Sequence, residues 1–185
     1  HKPLEDIITY AGSGAGINAI GEAFLNPGDE VLICSPTYMA YGHLPARHGA
    51  KLVEVFSKDG VSTDLELLAG AITDKTKLIF VCNPNNPTGT ILDPARLDEF
   101  VEKLPEHVIC VVDEAYIDWG DIPNYPSALK YVEEGGKNII VLRTFSKIYG
   151  MARIRVGYSV ANSEITQALN SIAGSFGTSG PAAAG

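Results

Sequence analysis

Positive charge is in short supply along this 185-residue chain: 14 lysines and arginines stand against 22 acidic residues, for a net charge of −8. A general nucleic-acid or anionic-membrane surface is therefore disfavoured, and any phosphate site has to be local. Cysteine is also scarce. Cys34, Cys82 and Cys110 are odd in number, lie in or at the end of apolar runs, and form no CxxC pair. That excludes a disulfide framework or structural zinc as the organising device, and core thiols of a reduced, cytoplasmic protein are expected. The four histidines, His1, His43, His48 and His107, lack metal-ligand spacing, so no metal site is assigned. No apolar run reaches membrane-span length, and no signal peptide is visible. The chain opens at His1 and closes in GPAAAG, a helix-like composition, which reads as an interior piece of a longer protein.

What is present is an ordinary globular composition, 45% hydrophobic and 19% charged, enough for one sizeable core and a single domain over 1–185. Short β-rich apolar runs alternate with longer helical ones. Strands are predicted at Ile7–Tyr10, Val31–Cys34, Lys51–Phe56, Lys77–Cys82, Val108–Val112, Asn138–Leu142 and Arg155–Val160. Helices are predicted at Gly16–Leu25, Tyr38–Arg47, Asp64–Ala71, Pro94–Leu104, Ser127–Glu134 and Ser163–Ile172. Asp93 before Pro94 is a helix-start signal, as is Asp64 after Ser62-Thr63. Such alternation predicts an α/β fold, a mostly parallel sheet with helices on both faces.

Open parallel sheets bind ligands beyond the carboxyl ends of their strands. Three predicted strands deliver polar groups there: Asn83 and Asn86 after the first, Asp113 after the second, and Thr144, Ser146 and Lys147 after the third. Each residue alone has a plain structural explanation. Lys147 reads as a solvated loop lysine, or as an amine desolvated between Phe145 and Ile148 that can attack a carbonyl. Asp113, ending Val-Ile-Cys-Val-Val, reads as a helix cap or ion-pair member, or as the partner of a protonated ring nitrogen. The segment 83–89 reads as a rigid turn, or as a mount that aims the Asn86 amide at a phenolate oxygen, with Tyr116 as second donor. Gly12-Ser13-Gly14-Ala15-Gly16 reads as a flexible turn or an anion site at a helix start. It is not G-x-G-x-x-G, and no acid follows the second strand, which weakens a dinucleotide reading. Tyr38 packs, or stacks on a flat ring. Arg155, eight residues past Lys147, would complete a phosphate cradle with Thr144 and Ser146. The separate explanations account poorly for the convergence.

Assembled, these segments resemble the pyridoxal-phosphate-dependent aminotransferases of the aspartate aminotransferase fold, and most closely the histidinol-phosphate branch. The resemblance rests on Asn83–Gly89, Asp113–Tyr116, Thr144–Gly150, Arg155-Val156-Gly157-Tyr158, and Asn26-Pro27-Gly28-Asp29 leading to Pro36-Thr37-Tyr38. It implies a three-layer α/β/α large domain with a seven-stranded, mostly parallel sheet in which Arg155–Val160 is the one reversed strand. It implies pyridoxal 5′-phosphate as cofactor and Lys147 as its Schiff-base lysine and proton shuttle. Asp113 would then hold the ring nitrogen, Asn86 and Tyr116 the ring oxygen, and Tyr38 the ring face. The amides of Ala15 and Gly16, with Thr144, Ser146 and Arg155, would bind the phosphate. An amino donor, a 2-oxo acid acceptor and a homodimer follow from the same resemblance, with the small domain and N-terminal segment outside this chain.

Two positions depart from the family pattern: Arg153 stands where a small residue is usual, and Ile17-Asn18 where an acid is common. Three other functions stay open: a decarboxylase of a phosphorylated amino acid using the same cofactor, a catalytically silent binding domain, and, more distantly, a nucleotide-binding α/β domain.

Overall fold

The computed structural model describes residues 6–119, 125–135, 138–173 and 178; His1 and the closing GPAAAG lie outside them. Seven strands form one sheet: β1 (Ile7–Tyr10), β2 (Glu30–Ser35), β3 (Lys51–Phe56), β4 (Thr76–Cys82), β5 (Ile109–Asp113), β6 (Ile139–Thr144) and β7 (Gly157–Val160). Their spatial order is β1-β7-β6-β5-β4-β2-β3. Neighbours from β6 across to β3 run parallel, while β7 is antiparallel to both β6 and β1. The central strands are buried along almost their whole length, as continuous Val/Ile/Leu runs covered on both faces must be. β3 shows alternating exposure instead, because it is an edge strand.

Among the described residues six helices cover the sheet: α1 (Ser13–Phe24), α2 (Ala40–His43), α3 (Leu65–Gly70), α4 (Pro94–Glu102), α5 (Leu129–Glu134) and α6 (Ser163–Ala173). Side-chain alternation along the strands divides the core in two. Val31, Phe80, Val111 and Leu142 pack with Ile17 and Ile20 of α1, Tyr41 of α2 and Leu169 of α6. Ile79, Val112 and Val141 pack on the other face with Leu68 of α3, Phe100 of α4 and Val132 of α5. This is the three-layer arrangement.

The boundaries that moved have local causes. Asp64 and Asp93 cap α3 and α4 through their side chains, each accepting from the two backbone N–H groups at positions +2 and +3. The helix predicted over Tyr38–Arg47 is broken: α2 is one turn, and a 3₁₀ turn takes over at Pro45–Arg47, where proline has no amide for an α-helical bond. α1 begins at Ser13 rather than Gly16, directly after Gly12 at φ 86°. β7 begins at Gly157 rather than Arg155, whose φ of 60° is incompatible with an extended strand.

Candidate active site

Asp113 is the last residue of β5 and is 3% exposed. On the sheet's α1/α2 face, it shares the carboxyl-end rim with Cys82 of β4 and Thr144 of β6. Its Oδ2 accepts from the Tyr41 hydroxyl at 2.7 Å, and its Oδ1 from the Ala115 amide at 3.1 Å. Burial pushes this carboxyl above its ordinary value, although both hydrogen bonds pull the other way. An anion kept there is favoured by a cation alongside it. Tyr41 is fully buried, its ring stacked on Phe80 at 4.6 Å and meeting Tyr38 edge-on at 5.4 Å. Burial and, next, the charge of Asp113 push its hydroxyl well up, so it remains a proton donor. Burial and the same charge raise the Cys82 thiol to about 12.

The loop after β4 is stiffened by its other asparagines, not by prolines alone. Asn83 donates to Tyr125 and accepts from the Leu92 amide, while Asn85 donates to the Pro36 carbonyl and to Thr88. Both are buried. Asn86 is left facing the cleft, with Nδ2 3.4 Å from the Tyr116 hydroxyl.

After β6, Thr144 accepts from the Ser146 amide, donates to the Val156 carbonyl and contacts the Ser146 hydroxyl. Lys147 opens a turn closed by Gly150, whose amide bonds the Lys147 carbonyl at 2.9 Å with φ 64°. The Lys147 ammonium lies 4.9 Å from the centre of the Tyr116 ring. Of the two surroundings open to Lys147, solvated or desolvated, the structure shows the first: the residue is exposed. Its apolar flanks do not cover it: Phe145 packs against Tyr149 and Tyr158, and Ile148 is itself 47% exposed.

Arg155 spans the opening to the first helix, donating to the carbonyls of Ala11 and Ala152 with Ser146 Oγ at 3.4 Å. It lies across Gly12 so closely that a Cβ there would sit 2.2 Å from its guanidinium. The resemblance places an anion against two backbone amides of this loop. Those of Ala15 and Gly16 are turned to the Gly12 carbonyl, and Gly16 packs on Tyr10 and Leu142. Ser13 and Gly14 line the cleft instead, in the first turn, where helical N–H groups lack helical partners. Both departures are accommodated. Arg153 is exposed, and Asn18 accepts from Arg47 outside the cleft.

One cleft of about 150 Å³ is thus lined by Asp113, Asn86, Tyr116, Tyr38, Thr144, Ser146, Lys147 and Arg155, with Tyr41, Cys82, Ser13 and Gly14 added. It brings together a buried carboxylate, amide and phenol donors, aromatic rings, an exposed amine, and the hydroxyl and guanidinium of Ser146 and Arg155. Those donors suit a flat ligand with a protonated nitrogen, a ring oxygen and an anionic arm. Among the described residues no group of three His, Cys, Asp or Glu side chains could hold a metal. Sequence reasoning missed Tyr41 and Glu114; the latter follows Asp113 and is 2% exposed.

Comparison with known proteins agrees with this geometry. The family model for aminotransferase class I and II matches residues 1–185. A histidinol-phosphate aminotransferase of Moorella thermoacetica is 44% identical over 168 residues, 91% of this chain and 43% of that protein. An aromatic amino acid aminotransferase of Streptomyces coelicolor is 41% identical over 177 residues, 96% and 49% of the two. The histidinol-phosphate aminotransferase of Sinorhizobium meliloti, solved in complex with pyridoxal-5′-phosphate, superimposes with a TM-score of 0.87 at 31% identity, covering 97% of this chain and 48% of that one. The chain therefore spans about half the length of such relatives. Fold, cleft and sequence agree that it belongs to the class I and II aminotransferases.

Proposed function

We propose that the protein is a pyridoxal-phosphate-dependent aminotransferase that moves an amino group between an amine of the histidinol-phosphate kind and a 2-oxo acid. Residues 1–185 would be its cofactor-binding large domain, working as a homodimer. Three buried, unpaired thiols suit a reducing cytoplasmic setting. The observation that carries the reading is a single cleft holding Lys147 and Asp113 together with Asn86, Tyr116 and Arg155.

When bound, the cofactor supplies an aldehyde for an amine and a ring able to take up electrons from a substrate C–H bond. Everything else falls to the chain. Lys147 Nζ would be the amine that holds the aldehyde and the base that takes up a proton at the substrate α-carbon. Asp113 would keep a proton on the ring nitrogen, and its Tyr41 and Ala115 bonds fix the direction of its oxygens. Asn86 and Tyr116 would orient the ring through its oxygen, and Tyr38 would cover one face. Ser13, Gly14, Ser146 and Arg155 would hold the phosphate, with Thr144 setting the position of Ser146. Relatives split between histidinol phosphate and aromatic amino acids in their names, so a panel of both donors decides the amine.

The test is a titration with pyridoxal phosphate followed in the visible range. A saturable band that borohydride fixes as a covalent adduct on the peptide containing Lys147 is the expected result, and Lys147→Ala should remove both. A band fixed on a different lysine overturns the assignment, and no band at all overturns the reading. Bleaching of the band by an amino donor and its return with 2-oxoglutarate separates a transferase from a decarboxylase or a silent binder.

A further inference from the structure

Directly behind the cleft, on the opposite face of the sheet, lies an ion pair with a buried carboxylate and a largely covered guanidinium. Glu114 follows Asp113 in the chain and Arg143 precedes Thr144, so strand alternation turns each pair of neighbours to opposite sides. Asp113 and Thr144 face the cleft; Glu114 and Arg143 face α5 and each other. Arg143 Nε and one terminal nitrogen reach Glu114 Oε2 at 3.0 and 2.9 Å. Glu114 also accepts from the Ser127 hydroxyl and the Ala128 amide, and Arg143 donates to the same hydroxyl. The two side chains are 1% and 19% exposed.

Buried ion pairs add little net stability over an apolar pair of the same size, because both ions are desolvated. Their attested use is to fix one arrangement against its neighbours. Here the pair ties the end of β5 to the end of β6, one residue behind Asp113 and one residue before Thr144. We propose that the Glu114–Arg143 pair is a positioning device: it holds the carboxylate and the phosphate cradle at one fixed spacing, so that a ligand spanning both is gripped at its two ends together. The inference rests on the pyridoxal phosphate reading above. Neither residue lines the cleft, so both act only through the strand ends they join.

A spacing role makes a demand that a stabilising role does not. A ligand that touches both ends gains from their fixed separation, whereas a ligand that touches one end does not. The experiment compares pyridoxal phosphate, phosphate-free pyridoxal and inorganic phosphate on the full chain, wild type against Glu114→Gln. Expected is a loss of about tenfold in affinity for pyridoxal phosphate, the scale of coupling between groups in one network, with each half-ligand changed less than twofold. Equal losses for all three probes, or an unchanged affinity for pyridoxal phosphate, overturns the positioning role. Should Glu114→Gln fail to fold, Arg143→Lys carries the same test, keeping the charge but losing the two-nitrogen fork. If wild type shows no saturable band, the cofactor reading itself falls and this inference with it; an intact wild-type band with equal losses sinks this inference alone.

Discussion

Tyr41 has the most direct hold on Asp113, and no pattern in the sequence marks it. Asp113 was legible because a carboxylate at the end of a continuous apolar strand is costly to bury unless something meets it. Tyr41 lies in a helical stretch, and only the packing of α2 onto Phe80 turns its hydroxyl to the carboxylate floor. Tyr41→Phe keeps the ring stack and removes one donor to a buried anion. A loss of about 2 kcal/mol of stability in urea unfolding at neutral pH is expected. Asp113 itself gives the site a pH signature. Its folded value is raised above 3.8 by burial, so the fold favours the neutral carboxyl. That stability is fully present below about 3.8 and is lost as pH rises through the higher folded value. Without cofactor, wild type should therefore lose stability relative to Asp113→Asn as pH rises from about 4 toward 7. Urea midpoints of the two proteins across that range check the sign, and a difference that grows the other way refutes it. Lys147 was legible in its place but open between two surroundings, which packing alone separates: Lys147 and Ile148 are both exposed.

Among the elements, those with chemical punctuation were the easiest to place. Asp64 and Asp93 start α3 and α4 because their carboxylates accept first-turn amides. Asp93→Ala should cost about 1 kcal/mol in denaturant unfolding. The N-terminal end of α1 was harder, because glycines give no cap and no periodicity. What places it is a contact remote in sequence: Gly157 of β7 lies against the backbone of Gly12 and Ser13. A Cβ on Gly157 would be 2.4 Å from the Ser13 nitrogen, and neither backbone can yield cheaply. Gly157→Ala is expected to destabilise the protein by about 3 kcal/mol and to displace Ser13 from the cleft. Gly14→Ala, with nothing within 4 Å of the added carbon, serves as the control and should leave the thermal midpoint within about 2 °C. The reversal of β7 was equally beyond periodicity, since a four-residue strand reads alike in both directions and only the family resemblance implied it.

At the scale of the molecule, alternation of strands and helices was enough for the parallel sheet, because βαβ connections admit few alternatives. The convergence of three strand ends on one rim followed from it. The rim carries a second property. Met39, Trp119, Ile148 and Tyr149 are all more than 45% exposed, on segments that flank the cleft. That apolar border fits the homodimer proposed above, since large exposed apolar side chains are favoured at subunit contacts. Sedimentation of the full chain should give a dimer, and Trp119→Asp should shift it toward monomer; a wild-type monomer at micromolar concentration counts against the homodimer. The edge position of β1 has a last consequence. Among the described residues its only strand partner is β7, and the guanidinium of Arg155 reaches back to the carbonyl of Ala11, 144 residues earlier. An anion lodged between Ser13 and Arg155 would act as a rivet through the opening and closing turns of the sheet. Retention of the bound ligand by a loaded sample would then report that this edge strand has zipped shut, which makes it a gauge of complete folding.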